Sequence, residues 1–383
     1  MQFRTSGPEK SWFVFVISVL LFSALLSGCS SRAQVVPTPV PENLGFDIPV
    51  LIGTTRARDS DGLWSPTKRD ILNFARIDVS VPPVRRPGQI KLPGKTTDPS
   101  TDFLTLQVVY FDGKPSFRSA IRQRLREPGQ AGREVIVTVH GFNNTMGDGV
   151  YRTAQMMRDL SITGVVVHYS WPSIGDPLGY AADRDSVLIA RDGLEQLFVE
   201  LRKAGAQRIV VVAHSMGSQL TMETLRQMAI RGNDDVLSHI NGVVLMSPDL
   251  DVALFRSQAE AIGKLPQPFI IFVSKRDPVL ALSARLTGQP NRLGNTQQIE
   301  DVAGLEVTII DLSDASYAES PHSAALSSPS VLKVLEQATT SVRRALQTDP
   351  TGRTGIFPGS VLVAQEATAV ILAPVSVIGR SIN

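Results

Sequence analysis

The sequence predicts a doubly wound α/β fold, in which a mostly parallel sheet carries helices on both faces. From residue 134 onward, short β-branched runs alternate with amphipathic helical patterns, an order typical of parallel sheets. Some runs, such as IVVV at 209–212, are apolar at consecutive positions, as expected of strands that are covered on both sides. The chain has 383 residues, 43% hydrophobic and 19% charged, which is ordinary globular composition and enough to bury a large core.

The predicted strands are short β-branched runs, and the predicted helices are longer amphipathic segments between them. The strands fall at 48–55, 73–81, 103–111, 134–139, 164–170, 208–213, 240–246, 269–273 and 305–310. The helices fall at 147–160, 185–204, 216–230, 251–262 and 329–346, with a short one starting near Val279. The stretch 82–101 is rich in Pro, Gly and charge and is predicted to be a loop. We expect one domain at 46–348 and an apolar tail at 349–383, whose role the sequence leaves open.

The first 28 residues are predicted to be an export signal. Arg4 and Lys10 precede an apolar run at 12–26. As a helix, this run would be only about 22 Å long, which is shorter than the roughly 30 Å hydrocarbon core of a bilayer. A charged start and a short apolar centre are typical of a cleaved secretory signal.

Cys29 is a candidate lipid attachment site. The apolar run ends in Leu26-Ser27-Gly28-Cys29, which resembles the lipobox of bacterial lipoproteins, where the chain is cut before the Cys and the Cys receives a diacylglycerol. The resemblance implies an exported protein held in the cell envelope by lipid, with residues 29–45 as a tether. Ser30, directly after Cys29, is similar to the residue that follows the lipidated Cys in lipoproteins sent to the outer membrane. An uncleaved membrane anchor with an incidental Cys is the alternative.

Charge and cysteine content exclude several classes of protein. Lys and Arg number 38 against 36 Asp and Glu, and this balance does not suggest a nucleic-acid partner. A single Cys excludes a disulfide framework within the chain and a Cys-rich metal site. The sequence carries no Gly-rich phosphate loop, dinucleotide fingerprint or His/Glu metal spacing. We therefore expect no nucleic acid, no metal and no cofactor.

Ser215 lies in a candidate nucleophile elbow. The segment AHSMG at 213–217 joins an apolar strand to a helix, and such a tight turn raises the serine side chain above the sheet. The turn needs small residues two positions before and two after the serine. Ala213 and Gly217 meet this need, although Gly is commoner at the first position. The alternative is a serine that only caps a structural helix.

Several separated segments are similar to α/β-hydrolases, over roughly residues 130–345. More narrowly, the chain resembles a bacterial hydrolase family of largely unassigned substrate whose members are often exported. The segments that carry the resemblance are VTVHGFN at 137–143, YSWPS at 169–173, DRDS at 183–186, the elbow, SPD at 247–249 and RLG at 292–294. The resemblance implies an α/β-hydrolase fold and an oxyanion hole made by the backbone N–H groups of Phe142 and Met216.

The chain order of such hydrolases, serine then acid then histidine, implies the other catalytic residues. His322 follows the last predicted strand and is the expected base, whereas His239 has no plausible acid between it and the serine. Asp277 follows the penultimate strand, where the acid usually stands, and is the expected acid. Asp249, after the preceding strand, stays open as an alternative acid or as a helix cap.

The expected activity is cleavage of a small-molecule or lipid acyl ester through an acyl-enzyme, as in a carboxylesterase or lipase. About 22 residues separate the strands at 240–246 and 269–273, which leaves no room for a large lid. The loop 171–180 carries Trp171 and Tyr180, which could line an acyl pocket. The alternative, which the sequence leaves open, is that Trp171 and Pro172 only pack against the top of the sheet. Amide and thioester cleavage use the same machinery. The alternative is a catalytically silent binding or scaffold lipoprotein of the envelope on a hydrolase fold.

Overall fold

The computed structural model describes residues 32–41, 44–59, 64–94, 96–162, 164–289, 291–296, 302, 304–313, 321–327, 361–365 and 369–372. Its strands are β1 (Phe46–Arg58), β2 (Trp64–Val81), β3 (Leu104–Tyr110), β4 (Glu134–Val139), β5 (Val165–Ser170), β6 (Arg208–His214), β7 (Ile240–Met246), β8 (Phe269–Val273), β9 (Thr308–Asp311), β10 (Val361–Gln365) and β11 (Ala369–Leu372). Its helices are α1 (Gly113–Arg124), α2 (Met146–Asp159), α3 (Tyr180–Ala204), α4 (Met216–Ile230), α5 (Asp234–Leu237), α6 (Val252–Ile262), α7 (Pro278–Thr287) and α8 (Ala324–Ser327). None of the helices in this part of the chain is long and apolar enough to span a bilayer. The predicted export signal, Cys29 and the predicted helix at 329–346 lie outside the described residues.

All of these strands belong to one sheet, in the order β11-β10-β9-β8-β7-β6-β4-β5-β1-β2-β3. The central strands pair in parallel, in the order β1-β5-β4-β6-β7-β8-β9-β10. Among these strands, the antiparallel pairs lie at the two edges of the sheet: β1 with β2, β2 with β3, and β10 with β11. The predicted doubly wound and mostly parallel sheet is therefore confirmed.

The parallel strands are covered on both faces, because alternate side chains enter two separate apolar clusters. Val243 and Leu245 of β7 pack in the larger cluster, whereas Val244 and Met246 pack in the smaller one. The side chains of β8 divide in the same way, since successive side chains of a strand point to opposite faces. Every residue of β5 and β8 is buried, as expected for apolar runs in a sheet with helices on both sides.

The structure differs from the predicted elements at several places. Helix α1 lies in a stretch for which no helix was predicted, and β10 and β11 lie in the predicted tail and extend the sheet beyond β9. Strand β9 begins at Thr308 instead of 305, because the N–H of Val307 turns back to the carbonyl of Leu305 at 2.9 Å. Helix α3 begins at Tyr180 instead of 185.

Residues 34–38 of the predicted tether pack on the domain. The N–H of Thr38 donates to the carbonyl of Thr105 on β3 at 2.8 Å. The hydroxyl of Tyr151 on α2 lies 3.2 Å from the carbonyl of Gln34. Residues 34–38 therefore run beside the edge of the sheet.

Two glycines bring the loop after β4 against the turn after β6. A Cβ atom at Gly141 would lie 2.8 Å from the Cβ of Ser215, and one at Gly217 would lie 2.3 Å from the carbonyl oxygen of His140. Real Cβ atoms do not approach backbone oxygens this closely, so any larger residue at 217 must push the two segments apart. The contact joins the carboxyl ends of β4 and β6, where ligand sites form in open α/β sheets.

Gly217→Ala is expected to lower the free energy of unfolding by roughly 1–3 kcal/mol through overpacking. This loss outweighs the advantage of Ala over Gly in a helix, about 1 kcal/mol. Urea denaturation of the purified protein measures it. Gly94→Ala is the control, since a Cβ there meets nothing within 4 Å, and we expect a change within about 0.5 kcal/mol. An unchanged urea midpoint in Gly217→Ala would contradict the contact.

Candidate active site

Ser215 occupies a strained turn between β6 and α4. Its backbone dihedrals are φ 51° and ψ −122°, a region that side chains other than Gly seldom adopt. Asn143 after β4 and Ser247 after β7 also have positive φ, at 58° and 46°. Strained residues persist only where the surrounding structure holds them in place, and they are concentrated at functional sites. Ser215 is 2% exposed, so its hydroxyl lies below the surrounding surface.

Two backbone N–H groups beside Ser215 have no acceptor among the described residues. They belong to Phe142, in the loop held against the elbow by Gly141, and to Met216, the first residue of α4. The first N–H groups of a helix have no partner within the helix and carry the positive end of its dipole. These are the two groups that the sequence predicts for an oxyanion hole, and together they can receive a developing negative charge.

The imidazole of His322 lies against the carboxylate of Asp277. His322 is in the one-turn helix Pro321–Ser323, and its Nδ1 is 2.8 Å from Asp277 Oδ2. The imidazole side chain is 13% exposed and the carboxylate fully buried. Because a carboxylate only accepts, Nδ1 carries the hydrogen, so in the neutral form of the imidazole the lone pair is on Nε2. Within the described part of the chain, no side chain forms a hydrogen bond with the Ser215 hydroxyl.

Asp277 is held by the helix that follows β8. Its Oδ1 accepts from the N–H groups of Val279 and Leu280 at 3.0 and 3.1 Å, so the residue caps α7. Two backbone donors satisfy one oxygen while the other faces His322. The cap therefore fixes the direction in which the carboxylate meets the imidazole.

Asp249, the alternative acid, is occupied by other partners. Its oxygens accept from the hydroxyls of Tyr180 at 2.9 Å and Ser283 at 2.5 Å. The Nε of Arg292 lies 3.4 Å away, and both members of this ion pair are 3% exposed. Asp249 does not cap the next helix either, since Asp251 is the cap of α6. Of the two candidates, only Asp277 contacts His322.

Tyr180 and Trp171, both predicted to line a pocket, have different environments. The Tyr180 ring packs edge-on against Phe142 with centroids 5.2 Å apart, and its hydroxyl is bound to Asp249. Burial and the nearby Asp249 raise the pKa of Tyr180 to about 12, so it stays protonated. Trp171 is fully buried, stacks on His140 and donates from Nε1 to the His140 carbonyl at 2.7 Å. Trp171 therefore offers no surface to a substrate, and that expectation is not met.

His140 and His168 are structural. Both nitrogens of His140 face main-chain carbonyls, those of Gly141 at 2.9 Å and Trp171 at 3.1 Å. Burial, with Arg56 nearby, holds the pKa of His140 well below its usual range. His168 packs against Gly149 and shares its Nδ1 with the hydroxyls of Thr138 and Thr153. Burial lowers the pKa of His168 to about 3, so both imidazoles are neutral at neutral pH.

A buried arginine that the sequence analysis did not single out holds the loops beside the elbow. Arg56 on β1 is 2% exposed. It donates to the Ser170 hydroxyl at 2.9 Å and to the main-chain carbonyls of Ser173 at 2.9 Å and Asn144 at 2.8 Å. Asn144 is two residues after Phe142, so Arg56 fixes one end of the loop that carries the Phe142 N–H.

Asp183 provides the negative charge for this cluster. Its carboxylate accepts from the Ser173 hydroxyl at 2.6 Å and the Ile174 N–H at 2.8 Å, and also from the N–H of Asn143. Its attraction raises the pKa of Arg56, opposing the larger effect of burial, which lowers it to about 10. Arg56 therefore stays charged at neutral pH, and Asp183 joins the loop after β4 to the loop after β5.

Comparison with known proteins gives a family match and several structural likenesses. Residues 114–339 match the family described as alpha/beta hydrolase of unknown function (DUF900). No curated protein matches the sequence. Among solved structures, lipase B of Aspergillus fumigatus is 14% identical over 48% of this chain and 38% of that chain, with a TM-score of 0.26. A Pyrobaculum calidifontis esterase is 15% identical over 91% of this chain and 95% of that chain, with a TM-score of 0.34. A Pyrococcus furiosus esterase is 11% identical over 83% of this chain and 99% of that chain, with a TM-score of 0.38.

The family match includes β4 to β9, and with them the elbow, the loop after β4 and the turn that carries His322. It spans more than half of the sequence. The chain therefore belongs to this family of α/β-hydrolases.

Proposed function

We propose that this protein is a serine hydrolase that cleaves carboxylic acyl esters through an acyl-enzyme at Ser215. The observation that supports it most directly is the 2.8 Å contact between His322 Nδ1 and Asp277 Oδ2. The elbow that carries Ser215 and the N–H groups of Phe142 and Met216, which have no acceptor among the described residues, support it as well. Serine alone is a weak nucleophile and needs an oriented base. The Asp277 contact leaves Nε2 of His322 as that base.

In the proposed reaction, the Ser215 hydroxyl oxygen attacks the ester carbonyl carbon while His322 Nε2 takes the hydroxyl proton. The carbonyl oxygen becomes negatively charged and accepts from the N–H groups of Phe142 and Met216, each worth roughly 2.7–4 kcal/mol of barrier. The leaving alcohol takes the proton from His322, which leaves an acyl-serine. Water, activated by the same imidazole, then releases the acid and restores Ser215.

Apolar side chains in the loop after β4 and in the loop before α3 support an acyl substrate. The rings of Phe142 and Tyr180 form one wall. Ile174 and Leu178, in the loop before α3, are 40% and 93% exposed. Asp249, whose N–H donates to the Ser215 carbonyl at 3.2 Å, is already paired with Arg292, so its carboxylate is not free to bind a cationic substrate. Amide and thioester bonds suit the same machinery.

The proposal includes export and attachment to the envelope through a lipid on Cys29, most simply at the outer membrane. The short apolar run and the lipobox-like segment at 26–29 support it. Several acyl chains on one N-terminus would anchor the protein stably, since each buried CH₂ contributes roughly 0.8 kcal/mol.

A fluorophosphonate probe tests the nucleophile. We expect the purified protein to be labelled and Ser215→Ala not to be labelled. Ser218→Ala is the matched control, because Ser218 is buried one turn further on and donates to the Ala213 carbonyl at 3.3 Å; it should be labelled like the wild type. No labelling of the folded wild type would favour a binding or scaffold protein, and labelling of Ser215→Ala would exclude Ser215.

Two substitutions test the acid. Asp277→Asn is expected to lower kcat/KM for a short-chain ester on the order of 10³–10⁴-fold, because the amide disfavours the Nδ1–H tautomer, while Asn still caps α7. Asp249→Asn weakens the pair with Arg292 and should mainly lower stability. Turnover is compared where circular dichroism shows both variants folded. Full activity in Asp277→Asn would remove it as the acid.

A further inference from the structure

His214 directly precedes the proposed nucleophile in the chain and contacts the proposed base. It is the last residue of β6, directly before Ser215. Its ring centroid is 4.8 Å from that of His322, and its Nε2 is 3.1 Å from the backbone carbonyl oxygen of His322. Its Nδ1 is turned toward Gly141, where a Cβ would approach it to 2.9 Å. The imidazole therefore fills the space between the elbow, the loop after β4 and the turn Pro321–Ser323.

The contact with the His322 carbonyl fixes the tautomer of His214. A carbonyl oxygen only accepts, so Nε2 must carry the hydrogen. Burial, with the neighbouring His322, lowers the pKa of His214 to about 3, and the ring is neutral at neutral pH. A neutral imidazole has a single N–H, and here it is committed to the main chain of His322.

We infer that His214 is a positioning residue, whose Nε2–H holds the backbone of His322 and thereby fixes where the His322 imidazole is presented. The inference rests on the proposed function, which makes His322 the base. Asp277 holds the ring of His322 through Nδ1, and that single contact leaves the ring free to swing about it. The bond from His214 to the carbonyl is a second, independent fixed point on the same residue.

The consequence of losing this bond is a misplaced base. The carbonyl of His322 would be left without its donor in a largely buried position, which disfavours the present backbone conformation. Displacements of about 1 Å in an acyl-transfer site cost on the order of 10²-fold in rate. The loss is expected mainly in kcat, because the base acts in the chemical step.

An isosteric pair of variants tests the inference. His214→Gln keeps an N–H donor near the position of Nε2, and His214→Met has similar volume without a donor. We expect His214→Met to lower kcat for a short-chain ester on the order of 10²-fold at nearly unchanged KM, and His214→Gln to recover most of it. Hydrogen–deuterium exchange over 321–327 should rise in His214→Met and stay near the wild-type rate in His214→Gln.

His214→Asn gives the same test without an apolar replacement. The Asn side chain is one methylene shorter than that of Gln and does not bring its N–H to the position of Nε2, so we expect the same losses as in His214→Met. Wild-type kcat and exchange in His214→Met, or equal losses in His214→Gln and His214→Met, would overturn the inference. A wild-type protein that neither turns over esters nor reacts with the fluorophosphonate would instead refute the proposed function. The exchange comparison does not depend on activity and separates the two cases.

Discussion

The close approach of two backbone segments is the constraint on which the candidate site depends. The loop after β4 lies against the turn after β6, and the space between them admits no side chain at Gly141 or Gly217. Because the segments touch, the loop that carries Phe142 lies against the turn that carries Ser215 and Met216. The positive φ of Ser215 is part of the same constraint, since the turn must reverse within one residue.

Two buried ionic clusters hold the surrounding loops in place. On one side, Arg56 and Asp183 join the loops after β4 and β5. On the other side, Asp249 and Arg292 join the segments after β7 and α7, and Tyr180 bridges from this cluster to Phe142. Buried charges are costly to unpair, so each cluster resists displacement of the loops it joins. Such rigidity is what a preorganised oxyanion hole needs.

Local patterns predicted the elements that bury regular apolar faces. The bounds of β4, β7, β8 and α4 agree with the predicted ones, because β-branched runs and clear turn residues mark their ends. Helix α1 buries only Phe117 and Ile121, too few for a periodic signal. Strand β10 pairs with β9, and β11 pairs with β10; the pairing with β9 is a contact that no local pattern reveals.

The candidate site was predictable in its residue types but not in its contacts. Asp277 and Asp249 both follow a strand and are both buried. Chain order favours Asp277, but which of them contacts His322 is visible only in the structure. Arg56 has partners 88 to 117 residues away, so nothing near it in sequence marks its role. The buried position of Trp171 is equally a matter of tertiary packing, since an aromatic residue in a loop can face either solvent or core.

The most direct measurement of the central claim is a crystal structure of the protein after reaction with a fluorophosphonate. We predict phosphorus bonded to Ser215 Oγ, with a phosphonyl oxygen about 2.7–3.1 Å from the N atoms of both Phe142 and Met216. The Nε2 of His322 should lie within about 3.2 Å of Ser215 Oγ. A phosphonyl oxygen turned away from both N–H groups, or an imidazole of His322 that points elsewhere, would contradict the account.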